Sequence, residues 1–146
     1  MAKRHVLMIG FEELAPQMER LLPKISGQLE LVAVPDGARG VSAHAKLAAA
    51  GVPPLVVIVR SGLEFVDGPQ VAQTVRAAER AIGVAASALL YVSGEDGSEA
   101  VDTLIAGVGR AVHLKLQAEQ PHAHTAQRLA KATAKILEQL RKRGKA

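Results

Sequence analysis

The run Leu55-Val-Val-Ile-Val59 constrains this chain more than any other feature. Consecutive branched apolar residues cannot alternate between core and solvent. They fit a strand covered on both faces, as in parallel sheets with helices on either side. The run ends on Arg60. In open α/β folds, ligands gather just past the carboxyl ends of such strands. A permanent cation therefore stands where chemistry or signalling would normally be placed.

Four more short apolar runs are predicted strands: His5–Ile9, Glu30–Val34, Ser87–Val92 and Ala111–Lys115. Helical periodicity fills the intervals. Phe11, Leu14, Met18, Leu21 and Leu22 mark a first helix, ended by Pro23 and Gly27. Pro35-Asp36-Gly37 stops the second strand, and Val41, Ala45 and Ala48 mark a short second helix. The third has Pro69 near its first turn and a stripe at Val71, Val75, Ala78 and Ile82. Val101, Leu104, Ile105 and Val108 give a short fourth helix. After a polar connection, Thr125 is placed to cap a last helix to about Arg143, with Ala126, Leu129, Thr133, Ile136 and Leu140 inward. Strict alternation predicts an α/β fold, a doubly wound five-stranded parallel sheet with helices on both faces. No repeat or linker interrupts it, so residues 1–146 are expected to form a single domain.

Composition narrows the function classes. The absence of cysteine excludes disulfides, thiolate zinc sites and cysteine nucleophiles, and it fits a cytoplasmic location. The apolar stretch near the N-terminus is too short for a signal h-region or a membrane span. With no tryptophan, one tyrosine and two phenylalanines, base stacking has little to work with, which argues against nucleic acid as a partner. Residues 1–120 carry a net charge of −2 and residues 121–146 a net of +6, so the basic character belongs to the C-terminal helix, 125–146.

Read in order, the strand–helix junctions resemble the receiver domain of bacterial two-component response regulators, the fold of the single-domain chemotaxis regulators. Val34-Pro-Asp36-Gly37-Ala-Arg-Gly40-Val41 is similar to the family's turn into the second helix. Asp67-Gly68-Pro69 resembles the opening of the third helix, and Leu90-Tyr-Val-Ser93-Gly94 the fourth strand with its switch Ser/Thr at Ser93. Val112-His-Leu-Lys115 resembles the fifth strand with its lysine. The resemblance covers roughly residues 4–143 and implies a flavodoxin-like strand order 2-1-3-4-5.

The active-site positions depart from the family pattern. Gly10 and Phe11 stand where an acidic pair holds Mg²⁺, and Glu12 is the nearest carboxylate. Arg60 stands at the phosphoacceptor aspartate, and Leu116 replaces the proline after the lysine. Phosphoryl transfer to a side chain needs a carboxylate nucleophile and a hard cation held by oxygens. Glycine and phenylalanine side chains offer no oxygen, and a guanidinium cannot attack phosphorus and repels Mg²⁺. The resemblance thus implies a degenerate pseudo-receiver that is not an enzyme and needs neither metal nor cofactor.

Several roles stay open for the residues singled out. Arg60 is a fixed charge locking one signalling state, an anion site, or an ion-pair partner of Glu12, Glu13, Glu64 or Asp67. Ser93 and Lys115 are remnants of a switch or ordinary strand-end residues. His122-Ala-His124 has two-ligand spacing without a third ligand and reads as a solvated loop. Gly107-Val-Gly109 lacks a third glycine and precedes a strand, so it is no nucleotide fingerprint. Ile105, Ile136 and Leu140 form a candidate interaction surface, and the resemblance implies a homodimer through the fourth and last helices. The expected function is a phosphorylation-independent protein-interaction module with a protein partner in a signalling pathway. The alternatives are a nucleic-acid or regulatory binder using the basic helix, and an enzyme holding a small anionic ligand at the strand ends.

Overall fold

The structure is a computed structural model, and it describes residues 4–61, 63, 66, 68–94, 111–116 and 121–144, with side chains to Lys142. Strand β1 spans Arg4–Ile9, and a 3₁₀ turn at Glu12–Leu14 leads into helix α1, Ala15–Ile25. Then come β2 (Leu29–Val34), α2 (Gly37–Ala49), β3 (Val56–Arg60), α3 (Gly68–Ile82), β4 (Ala88–Ser93), β5 (Ala111–Lys115) and a C-terminal helix (His122–Gly144). The helix expected over 101–108 lies outside the described residues.

All strand pairs are parallel, in the order β2-β1-β3-β4-β5. This is the flavodoxin-like arrangement expected from the sequence. Alternation along each strand sends successive side chains to opposite layers. Val6, Met8, Val56, Ile58, Leu90 and Val92 pack with Met18 and Leu22 of α1 and with Ala126, Leu129 and Ile136 of the C-terminal helix. Leu7, Ile9, Val57, Val59, Leu89 and Tyr91 pack with Val71, Ala72 and Val75 of α3. Residues Val56 to Ile58 are fully buried and Val59 is 1% exposed, so this strand is covered on both faces as its composition demands. Burying each such side chain contributes roughly 1.5–3 kcal/mol, which is the main source of the fold's stability.

Four local expectations are corrected. Pro23 lies inside α1, which runs on to Ile25: the proline forgoes its own N–H bond, but the Ser26 amide still reaches the Leu22 carbonyl and closes the helix. The C-terminal helix starts at His122, directly after Pro121, so His122 and His124 are helical and not in a loop. Thr125 sits in its first turn, bonding back to the Pro121 carbonyl, and is not its cap. Arg60 is the last residue of β3, paired with Val92, instead of lying beyond the strand.

Two helical faces are also rotated from those expected. In α2 the buried residues are Gly37, Gly40, His44 and Ala48, with Asp36 capping the helix through the Arg39 amide at 2.8 Å. In α3 Arg76 and Glu79 are buried, while Ile82 is 43% exposed. The polar residues turn inward because they satisfy one another. The Glu79 carboxylate accepts from Arg76 Nη1 at 2.7 Å, His44 Nε2 at 3.1 Å and the Ser87 amide at 2.8 Å. The Ser87 hydroxyl donates to the Pro54 carbonyl at 2.7 Å. This network ties α2 and α3 to the turns that open β3 and β4.

Burial pushes the Glu79 pKa up, but hydrogen bonds from His44, Ser87 and Arg76 outweigh it and lower it from an ordinary 4.5 to about 2. A carboxyl whose folded pKa is depressed stabilises the fold above its unfolded pKa. That stabilisation, about 3 kcal/mol, should be lost as pH falls from about 4.5 through about 2. Urea unfolding at a series of pH values should show the loss. Glu79→Gln should flatten it and destabilise the protein at neutral pH by about 3 kcal/mol, because the charged acceptor shared by Arg76, His44 and the Ser87 amide is lost.

Candidate functional site

The strand order reverses between β1 and β3, and the crevice at their carboxyl ends is the switch point of such a sheet. Arg60 reaches across this crevice. Its Nη1 donates to the Gly10 carbonyl at 3.1 Å and lies 3.6 Å from Glu13 Oε1. Its guanidinium carbon stands 5.3 Å from the centroid of the Phe11 ring, within cation–π range. Phe11 itself is only 4% exposed, packed in the core layer shared with α1. The Arg60 and Glu13 side chains are 51% and 44% exposed, so the ion pair is worth at most about 1 kcal/mol. Hydrogen bond, stacking and ion pair together attach the arginine to one short turn.

Gly10 makes that approach possible. Its φ of +93° is a conformation that side-chain-bearing residues rarely adopt. A Cβ there would lie 2.5 Å from Leu63 Cδ2 and 2.9 Å from Arg60 Cβ. Gly68, at the start of α3, is tight for a related reason. A Cβ there would lie 2.8 Å from Tyr91 Cε2 and 3.0 Å from the Arg60 carbonyl oxygen. Both glycines let backbone close around the end of β3.

The residues at this crevice do not fit a Mg²⁺ site of the kind the resemblance implies. Gly10 has no side chain, Phe11 presents a ring, and a guanidinium occupies the ground between them. Glu12 and Glu13 are exposed and lie in the first turn of the 3₁₀ segment, where negative charge is favourable in any case. Among the described residues, no group of three His, Cys, Asp or Glu is placed to hold a metal ion. Of the carboxylates considered as partners for Arg60, Glu13 is within ion-pair distance. Glu64 and Asp67 lie outside the described residues.

Ser93 and Lys115 end β4 and β5 and pair with each other in register. They are not brought to Arg60. Arg60 alternates with Val59 and meets Phe11 on the α1 side, whereas Ser93 follows Val92 on the side of α3. The Ser93 hydroxyl lies 2.6 Å from His113 Nε2, and the His113 ring stands edge-on to Tyr91 at 5.4 Å and 66°. His113 is the member of this cluster that sequence reasoning missed. The sequence shows His113 two residues before Lys115, but not the strand register that sets it opposite Tyr91. Of the candidate interaction residues, Ile136 is 6% exposed within the core, Leu140 is partly buried against it, and Ile105 lies outside the described residues.

With this geometry in hand, comparison with known proteins shows the fold. No protein-family model matches the sequence, and no curated protein does. Among solved structures, the chain is similar to the receiver domain of a histidine kinase from Arabidopsis thaliana, complexed with Mg²⁺ and BeF₃⁻. The TM-score is 0.66 at 16% identity, over 92% of this chain and 90% of that one. The phosphorylated cyanobacterial phytochrome response regulator RcpA gives 0.65 at 15% identity, covering 94% and 93%. The response regulator domain of CheB from Thermotoga maritima gives 0.64 at 15% identity, covering 97% and 96%. The chain thus has the flavodoxin-like fold of receiver domains.

The seat of Arg60 on Gly10 is open to test. Gly51 also has positive φ, +80°, but a Cβ there would meet nothing within 4 Å. Gly51→Ala should therefore cost only backbone strain, about 1–2 kcal/mol. Gly10→Ala should cost more by urea unfolding and shift the Arg60 guanidinium NMR resonances. Equal costs and unmoved resonances would show that Arg60 does not rest on this turn.

Proposed function

We propose that the chain is a phosphorylation-independent signalling module, a receiver fold in which a tethered cation stands in for metal and phosphoryl group. The observation that supports this reading is the triple attachment of Arg60 to Gly10, Phe11 and Glu13. In the histidine-kinase receiver named above, the bound species are Mg²⁺ and BeF₃⁻. Here the guanidinium bridges the end of β3 to the β1–α1 turn through the chain's own bonds. A permanently charged group holds that bridge at any pH at which the protein folds. The module acts through contacts with a protein partner and performs no phosphotransfer of its own.

A second reading is supported by the half-exposed guanidinium, which leaves donors of Arg60 facing solvent. In that reading a small anion binds Arg60 and displaces Glu13. Isothermal titration with inorganic phosphate separates the two, since saturable binding lost in Arg60→Ala supports only the anion site.

The main reading predicts chemical inertness. Incubation with acetyl phosphate and Mg²⁺ should leave the intact mass unchanged, and Arg60→Asp alone should not restore phosphorylation. An acid-stable, hydroxylamine-sensitive gain of one phosphoryl group in the wild type would overturn the reading. Millimolar Mg²⁺ should leave the melting temperature unshifted, because a ligand that bound the native state would raise it by mass action. Arg60→Ala should fold, since the side chain is half exposed, yet weaken partner binding, with Arg60→Lys rescuing only in part.

A further inference from the structure

At the amino ends of β1, β2 and β3, opposite the Arg60 crevice, a cleft opens between the last turn of α1 and the C-terminal helix. Its volume is about 510 Å³, within the range of small-molecule sites. Leu29, Ile25, Leu55 and Leu137 form an apolar floor, and the last three are only partly buried. Arg4, Lys24 and Arg141 stand around it, one from β1 and one from each helix. All three are exposed, and among the described residues none has a carboxylate within 4 Å. The acidic residue at the rim, Glu138, lies 3.5 Å from Lys142 Nζ and is already paired. Cations are favourable at helix C-termini, which accounts for Lys24 and Arg141 by themselves. Arg4 has no such reason to be there. It opens a strand, and alternation from Val6 turns it to the layer of α1 and the same rim. Backbone bonds fix the walls. The Arg4 amide donates to the Gln28 carbonyl at 2.9 Å, the Leu29 amide to the Ser26 carbonyl at 3.2 Å and the Leu55 amide to the His5 carbonyl at 2.9 Å.

We infer that this cleft binds a small amphipathic anion, with an apolar body on the Leu55 and Leu137 floor and a carboxylate or phosphate head between Arg4, Lys24 and Arg141. Floor and charge each exclude an alternative. A bare inorganic anion leaves the apolar floor in water. A neutral or cationic amphiphile leaves three cations without a counter-charge. The Ser26 hydroxyl accepts from the Gln28 amide at 3.4 Å, and its own proton adds a donor for the head. Because the walls are already fixed, little ordering is required when the ligand enters. The inference is independent of the Arg60 reading, since cleft and crevice lie at opposite ends of the sheet and share no residue. It uses the flank of the C-terminal helix towards α1, and no residue of β5 lines it.

Titration of the full chain with decanoate and with decyl phosphate at neutral pH, followed by calorimetry and amide NMR, tests this. Binding should be saturable at one ligand per chain, with shifts centred on Gln28, Leu29, Leu55 and Leu137, and decylamine should not bind. Arg4→Glu/Arg141→Glu should weaken decanoate binding about tenfold or more. Ala134→Leu, which fills the cleft without changing its charge, should cost a similar amount. Lys46→Glu/Arg80→Glu makes the same change of net charge on α2 and α3 and should leave the affinity unchanged. The charge reversals fall on exposed positions, so their melting temperatures should stay near that of the wild type. Several results would each overturn the inference. One is no saturable binding of either amphiphile, or shifts centred elsewhere. Another is decylamine binding as tightly as decanoate, or an equal loss in Lys46→Glu/Arg80→Glu, which leaves no specific anion site. A third is inorganic phosphate binding as tightly as decyl phosphate, with Ala134→Leu unaffected, which removes the apolar body from the recognition. The last is flotation with phosphatidylglycerol vesicles that Arg4→Glu/Arg141→Glu abolishes and decanoate does not displace, which assigns the cations to a membrane surface.

Discussion

Burial of β3 on both faces is the constraint from which the rest of the architecture follows. Val56 to Val59 are at most 1% exposed, with alternate residues committed to opposite layers. Two helical layers are required to cover them, and parallel strands linked by crossovers are the way a short chain supplies both. Once β1 takes the place beside β3 and β2 turns outward, a crevice must open between the carboxyl ends of β1 and β3. The candidate site is therefore a consequence of core packing. What the local sequence decides is only what fills the crevice.

The two ends of the sheet handle charge differently. At the opening ends of β3 and β4, the ionised Glu79 is 2% exposed, and it is held by Arg76, His44 and Ser87. An ionised carboxylate only accepts hydrogen bonds, so His44 must carry its proton on Nε2. Full satisfaction makes this network costly to break and fixes how α2 and α3 sit on the sheet. At the closing ends, Arg60 and Glu13 are half exposed and weakly paired, and the aromatic ring and backbone carbonyl carry much of the attachment. The Glu79 charge is thus buried and paired at one end of the sheet, and the Arg60 charge is left partly solvated at the other.

Much of this was legible in the sequence. The unbroken run before Arg60 and the alternation of strand and helix periods were enough for the parallel sheet, and the resemblance of the strand–helix junctions to receiver domains implied its order. The seat of Arg60 beside Gly10 and Phe11 was readable as the junction of two strand ends, though not its three contacts. The inward faces of α2 and α3 were misjudged for one physical reason. A pattern of apolar spacing treats His44, Arg76 and Glu79 as outward residues, yet an i, i+3 Arg–Glu pair with a histidine and a backbone amide can satisfy itself in the core. The Ser93–His113 contact escaped for a related reason, since strand register, not spacing along the chain, brings the two together. The last helix begins at His122, ahead of its apolar stripe, and the Pro121 carbonyl just before it accepts the Thr125 amide.

The proposed role of Arg60 turns on the difference between a bound ion and a tethered one. A metal held by carboxylates has an occupancy set by its concentration, and an acyl phosphate has a lifetime set by hydrolysis. A guanidinium on the adjacent strand has neither, because its local concentration is fixed by the backbone. The attachment of Arg60 to the β1–α1 turn is then held by about one hydrogen bond, one cation–π contact and one exposed ion pair, each worth roughly 0.5–1.5 kcal/mol. That sum is small enough for a partner protein to break or reinforce, and too small to lock the site irreversibly. In the proposed reading, regulation therefore passes from chemistry at the strand ends to binding at the surface, and the affinity of the partner becomes the variable that sets the signal.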